Sequence, residues 1–162
     1  MHGISTLDRD GIARRIPHQG SMCLLDAVTA WDEDRISCQA SSHNAADNPL
    51  RAHGRLGAAC GIEYAAQAMA VHGALVAEAQ AHGNSASPPA RGGYLAGVRS
   101  VTLHAARLDT LAGPLTVNAE RITGDTNTVL YSFSVQAGTQ TLLGGRAVVV
   151  LDATALKPER NS

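Results

Sequence analysis

Residues 61–75 read GIEYAAQAMAVHGAL, a run of alanine and other apolar residues that contains a single acidic side chain, Glu63. The run extends in both directions, because residues 58–82 are mostly strong helix formers and contain no proline. Its first turns are apolar on nearly all sides, which is typical of a buried helix. We therefore predict one long central helix at about 58–82, and a carboxylate on it that needs a partner or a function.

The rest of the chain has the pattern of β-strands. A short helical piece is predicted at roughly 7–15, followed by two strand-like runs at 22–31 and 34–41. Four more runs with β-branched alternation follow the helix and are separated by glycine-containing turns. One buried helix and six strands favour an α+β fold in which a curled antiparallel sheet wraps around the helix. We expect one domain over residues 1–162, with a core at about 12–152 and a frayed C-terminal tail.

Composition limits the possible functions. The net charge of −1 and the pI of about 6.6 give no support for a nucleic-acid or membrane-surface partner. Cys23, Cys38 and Cys60 are widely spaced and form no CxxC pattern, which argues against a disulfide framework or a zinc site. The first residues do not resemble a signal peptide, and no stretch is long enough to span a bilayer. We expect a cytoplasmic protein that binds no metal and no other cofactor.

Three segments stand in a specific order and spacing. The first is IPHQGSMCLLDAV at 16–28, the second is Glu63 followed four residues later by Gln67, and the third is GYLAGVRSVTLHAARLDTLAGPLTVNAERI at 93–122. Together they resemble the hotdog-fold 3-hydroxyacyl-[acyl-carrier-protein] dehydratases. The chain is most similar to the dehydratases of aryl-polyene gene clusters, in which a short Gly-x-Leu segment also precedes the glutamate.

The resemblance implies a fold, an assembly and a reaction. The fold is a hotdog, and its sheet joins that of a second subunit edge to edge in a homodimer or in a heterodimer with a hotdog paralogue. The reaction removes water from a 3-hydroxyacyl thioester on an acyl carrier protein and gives a trans-2-enoyl thioester in fatty-acid or polyene/polyketide-type biosynthesis. Such a reaction needs a base for the C2 proton and an acid for the departing hydroxyl group.

Glu63 is the expected acid, because a carboxyl group on an apolar helix has its charged form disfavoured and its pKa raised. In the dehydratases of fatty-acid synthesis the base is a histidine in a Gly-His-Phe-Pro-Gly loop, fourteen residues before the glutamate. Pro49 occupies that position here. Either His53, in the loop segment RAHGRLG, takes the role of the base, or no histidine of the chain does; His43 is a reserve candidate.

Residues around the start of the helix are expected to bind the substrate. The amides near Gly57 and Ala58 would donate to the thioester oxygen, as amides at helix N-termini do. Gly61 would keep the site uncrowded. Gln67 lies one turn beyond Glu63 and could orient its carboxyl group.

Two loops flank the helix and carry arginines. Arg51, Arg55 and Arg91 are expected to attract an acidic acyl carrier protein. His72 lies about half a turn around the helix from Glu63, so we expect a packing or interface role for it.

The residues leave other functions open. The chain could be a non-catalytic partner subunit of a heterodimeric hotdog dehydratase, which the missing histidine loop favours. It could also be an acyl thioesterase in which Glu63 activates water or attacks the thioester. In the simplest case Glu63 is a surface acid that complements the helix dipole. The length of the acyl chain, its aryl or alkyl nature and the identity of the second subunit stay open.

Overall fold

The computed structural model describes residues 6–82, 94–125 and 127–150. Its elements, in chain order, are helix α1 (Arg9–Ala13), strands β1 (Ala27–Trp31) and β2 (Arg35–Ala40), helix α2 (Gly61–His82), and strands β3 (Tyr94–Leu103), β4 (Leu115–Gly124), β5 (Thr128–Ala137) and β6 (Gln140–Val150). Single 3-10 turns lie at Gly20–Met22, Ser42–Asn44 and Ala58–Cys60. No helix within these described ranges is long and apolar enough to cross a membrane.

The six strands form one antiparallel sheet in the order β1-β2-β4-β5-β6-β3. Helix α2 packs on one face of this sheet, mainly against β2, β4 and β5. Strand residues that point to the helix are buried, as the alternation along β5 shows at Val129, Tyr131, Phe133 and Val135. This curled sheet around one long helix is the hotdog fold, and the predicted α+β architecture is confirmed.

The opposite face of the sheet is polar. Ser37 on β2 donates to Asn118 Oδ1 on β4 at 2.8 Å. Arg35 and Glu120, also on β2 and β4, form an ion pair of 3.2 Å. Polar side chains that bond across neighbouring strands indicate a solvent-facing surface, so the apolar core lies only on the helix side.

Strand β1 begins later than the sequence pattern predicts. The predicted strand over 22–31 is reduced to Ala27–Trp31, because side chains rather than a neighbouring strand bind the backbone of its first part. Arg9 donates to the Cys23 carbonyl at 2.6 Å, and the Leu24 amide donates to Gln67 Oε1 at 2.9 Å. The segment before β1 is therefore attached to both helices.

Candidate active site at the start of the long helix

Glu63 lies in the first turn of α2, on the side that the sheet does not cover. Its side chain is exposed, although the next residue along the chain, Tyr64, is completely buried. The same side of the helix continues as a row of small, half-exposed residues at three- and four-residue spacing: Ala66, Ala70, Gly73 and Ala77. In the single chain Glu63 thus stands at one end of an open helix face lined by small residues, which we call the open face of α2.

The backbone before α2 is held by the loop that follows β3. The Leu108 amide donates to the Leu56 carbonyl at 2.9 Å, and the Ala58 amide donates to the Ala106 carbonyl at 3.0 Å. Ala58 is therefore not the free donor that the sequence analysis expected, because a neighbouring chain segment already uses its N–H group. Gly57 lies between these two bonds, and its carbonyl accepts from the Cys60 amide at 3.0 Å.

Gly61 is required by packing. A Cβ atom at this position would lie 2.6 Å from Leu143 Cδ2, which is closer than real Cβ contacts, and Leu143 is completely buried in β6. The absence of a side chain lets α2 approach the sheet at its first residue. The geometry thus gives Gly61 a role in the fold, while its predicted contact with substrate stays a proposal.

Gln67 binds backbone instead of Glu63. Its side chain is buried, its Oε1 accepts from the Leu24 amide at 2.9 Å, and its Nε2 donates to the Met22 carbonyl at 2.8 Å. The expectation that Gln67 orients the Glu63 carboxyl group is therefore corrected. Its amide group instead fixes the segment before β1 to the second turn of the helix.

The candidate bases occupy different environments. His53 is exposed at the tip of a tight turn in which the Ala52 amide donates to the Arg55 carbonyl at 2.9 Å, and its backbone is left-handed, with φ of 53°. His43 is completely buried, and its Nε2 donates to the Leu111 carbonyl at 3.1 Å. Burial lowers the pKa of His43. Within the described residues neither histidine hydrogen-bonds to Glu63, and His43 is closed off from any substrate in the single chain.

Arg51 is used inside the molecule. Its guanidinium group donates to the Ala45 carbonyl at 2.9 Å and lies 3.4 Å from the carboxylate of Asp109, which is 5% exposed. Arg107 binds the same carboxylate with two bonds of 2.9 and 2.7 Å, and this contact holds the pKa of Asp109 well below its usual range. The side chain of Arg51 thus clamps the loop before α2 to the loop after β3, and its predicted docking role stays a prediction.

The other two docking candidates differ from Arg51. Arg55 is exposed, beside the turn that carries His53. Arg91 lies outside the described residues. Of the three predicted docking residues, Arg55 therefore has the exposed side chain that a docking role requires.

Sequence reasoning missed a buried hydrogen-bonded group next to the site. Ser42 Oγ donates to the Leu24 carbonyl at 2.8 Å, so it accepts from the Tyr64 hydroxyl at 2.7 Å. Asn48 Nδ2 in turn donates to Tyr64 at 3.1 Å. The residues come from three separate segments, so no local sequence pattern reveals the group. It anchors the first turn of α2, which carries Glu63, to the loop that follows β2.

The comparisons with known proteins agree with this geometry. Residues 11–157 match the family model of the ApeP-like proteins, described as ApeP dehydratase. The chain belongs to the ApeP-like dehydratase family. The family places this ApeP-like chain among the dehydratases, as predicted from the sequence.

Solved structures of known proteins show the same fold. The dehydratase heterocomplex ApeI:P from Xenorhabdus doucetiae is similar to the ApeP-like chain with a TM-score of 0.69 and 21% identity, covering 92% of this chain and 91% of that chain. A thioesterase from Haemophilus influenzae matches with a TM-score of 0.58 and 12% identity, covering 90% and 91%. A hypothetical thioesterase protein from Streptococcus pneumoniae, solved with coenzyme A, matches with a TM-score of 0.53 and 10% identity, covering 76% and 83%. No curated protein matches the sequence. At these identities the structural likeness shows the hotdog fold alone.

Proposed function

We propose that the chain dehydrates 3-hydroxyacyl thioesters carried on an acyl carrier protein, with Glu63 as the acid. The observation that carries this proposal is the position of Glu63, an exposed carboxyl group in the first turn of an otherwise buried helix, in a member of a dehydratase family. The small side chains along the open face of α2 leave room beside it for an acyl chain.

The reaction assigns two proton transfers. A base removes the C2 proton, the electrons of the C2–H bond form the C2–C3 double bond, and the C3–O bond breaks. Glu63 gives its proton to the departing hydroxyl group, which leaves as water. The product is a trans-2-enoyl thioester, and the carboxylate regains a proton before the next cycle.

A second subunit completes this site in our proposal. Two features support it: within the described residues no histidine hydrogen-bonds to Glu63, and the open face of α2 is uncovered in the single chain. The similar structure from Xenorhabdus doucetiae is a dehydratase heterocomplex. The base is then either His53 or a group of the second subunit.

The product formed from a 3-hydroxyacyl carrier protein tests this function, with intact-protein mass spectrometry as the measurement. Loss of one water from the carrier-bound acyl group is expected, and Glu63→Gln should slow it by about two to four orders of magnitude, because Gln keeps the shape and cannot donate the proton. Glu33→Gln is the matched control, since it makes the same change at an exposed position in the turn between β1 and β2. It should leave turnover close to that of the wild type.

His53→Ala distinguishes the two sources of the base. If His53 is the base, its loss should slow turnover by about two to four orders of magnitude; if the second subunit supplies the base, the variant should be nearly as active as the wild type. A folded Glu63→Gln protein with full activity would contradict the assignment of the acid. Release of the free acid in place of the enoyl thioester would establish a thioesterase instead.

A further inference from the structure

The two edges of the sheet differ in how well they are protected. Strand β1 is five residues long, and the segment before α1 covers its outer side, because Leu7 and Val28 exchange backbone bonds of 3.2 and 2.9 Å. Strand β3 is ten residues long, and in the described part of the chain only β6 pairs with it. Its other side presents unpaired backbone groups to solvent, which makes β3 the edge where another strand can add.

Strand β3 also carries features of an interface. Val98 and Leu103 are 39% and 48% exposed, so two of the four exposed large apolar side chains among the described residues lie on this one strand. The strand is irregular at two places, between Leu95 and Gly97 and between Arg99 and Thr102. These irregularities leave the middle of the strand, around residues 97–99, as its most regular part.

Two arginines stand side by side at this regular part. Arg99 on β3 lies directly opposite Arg146 on β6, and both are exposed. Among the described residues no carboxylate bonds to either of them, whereas Arg35 in the same row across the sheet pairs with Glu120. Like charges directly opposite each other oppose strand pairing, so this arginine pair is an unbalanced positive feature at an open edge.

Pairing of β3 with a second copy of itself would intensify this repulsion. A two-fold axis places a residue near the middle of an antiparallel edge strand close to its own copy, and Arg99 lies within one residue of the middle of β3. Neighbouring strands are only about 4.8 Å apart. The two arginine pairs, Arg99 and Arg146 from each copy, would therefore lie next to each other where the two β3 strands pair.

We propose that Arg99 and Arg146 select the second subunit at the β3 edge: they favour a non-identical subunit whose edge strand carries carboxylates facing them, and they disfavour a second copy of this chain. The inference rests on the proposed function, which requires a second subunit over the open face of α2. It goes further because it names the edge and the charge that selects the partner. Attraction to one partner and repulsion from another both contribute to such selection.

A charge-exchange experiment tests the proposal with the chain itself as the probe. The double variant Arg99→Glu/Arg146→Glu stands in for an acidic partner edge. At an ionic strength of about 10 mM, where charges interact over about 30 Å, the wild type mixed with this variant should form a 1:1 dimer in sedimentation and native mass spectrometry. Its dissociation constant should be at least about tenfold lower than that of either protein alone. At about 1 M salt this preference should disappear, because charges then interact over only about 3 Å.

The control is Arg14→Glu/Arg55→Glu, which makes the same change in net charge at exposed positions away from β3. Mixed with the wild type, it should show no such preference. A neutral variant, Arg99→Gln/Arg146→Gln, should self-associate more tightly than the wild type. It tests the proposal even if the charge-reversed variant fails to fold. A wild-type homodimer as tight as the mixed dimer, or an equal effect of the control, would overturn the proposal. The readout is mass, not turnover, so failure here is distinct from failure of the dehydratase assignment.

Discussion

At the scale of single residues, His72 shows how a polar side chain is accommodated in the core. Its Nε2 lies 2.8 Å from the Asp32 carbonyl, which can only accept, so this nitrogen carries the proton. Its Nδ1 is then an acceptor and binds the Tyr131 hydroxyl at 2.6 Å. Burial lowers the pKa of His72, while the bond to the Asp32 carbonyl acts in the opposite direction. Burial thus favours the neutral imidazole, and the predicted packing role of His72 is confirmed by its position in the core.

This environment predicts a loss of stability in acid. Because burial lowers the pKa of both His72 and His43, the unfolded chain binds more protons once the pH falls below about 6.5. The contribution of these residues is complete above that pH and decreases as the pH falls towards their values in the folded protein. Urea unfolding at about pH 7.5, 6.5 and 5.5 should show a declining free energy of unfolding. His72→Gln should make the decline shallower, and an unchanged stability between pH 7.5 and 5.5 would contradict the interpretation.

At the scale of elements, the first residue of α2 sets how closely the helix approaches β6. Gly61→Ala would bring a methyl group to 2.6 Å from Leu143 Cδ2. Although alanine favours helices by up to about 1 kcal/mol over glycine, overpacking of a buried contact costs about 1 to 3 kcal/mol. We expect a net loss in the free energy of unfolding, measured by thermal or urea unfolding.

Gly57→Ala is the matched control for that variant. A Cβ at Gly57 would meet nothing within 4 Å, and its φ of −68° suits any residue. Its stability should therefore stay within about 0.5 kcal/mol of the wild type. If Gly61 and Leu143 are coupled as the contact indicates, Gly61→Ala should cost less in a Leu143→Val background. Additive effects of the two changes would refute the coupling.

The elements could be predicted from the sequence because their patterns are local. The alanine run identifies α2, and β-branched alternation identifies the strands after it. Local patterns do not reveal contacts between distant segments. Gln67 was expected to orient Glu63 but binds the backbone at residues 22–24, and Arg51 was expected to attract a carrier protein but also binds Asp109. Both side chains have the right chemistry for the predicted role. Only the fold decides which of several competing partners they meet.

At the scale of the whole molecule, recognition of a carrier protein should depend on Arg55. This side chain is exposed beside the turn that carries His53, and acidic partners are attracted by such charges. Arg55→Glu should raise the KM for a carrier-bound substrate several-fold at low ionic strength, with less effect at high salt. Steady-state kinetics on carrier-bound and on small soluble thioesters checks this. Arg55→Glu should process the small thioester as fast as the wild type does. The control variant Arg14→Glu should process the carrier-bound substrate as fast as the wild type does. An equal loss of Arg55→Glu activity on both substrates would contradict a docking role.

The strand order also determines when the molecule can be completed during synthesis. The partner of β3 is β6, the last strand described along the chain, and not β4, which follows β3 directly. At about 5 to 20 residues per second, the residues between Leu103 and Val150 take on the order of 2 to 10 s to be translated. During this time β3 has been made but has no strand beside it. The nascent chain therefore exposes both edges of β3 until β6 is made. A ribosome that stalls before β6 leaves a product that is prone to aggregate or to bind chaperones.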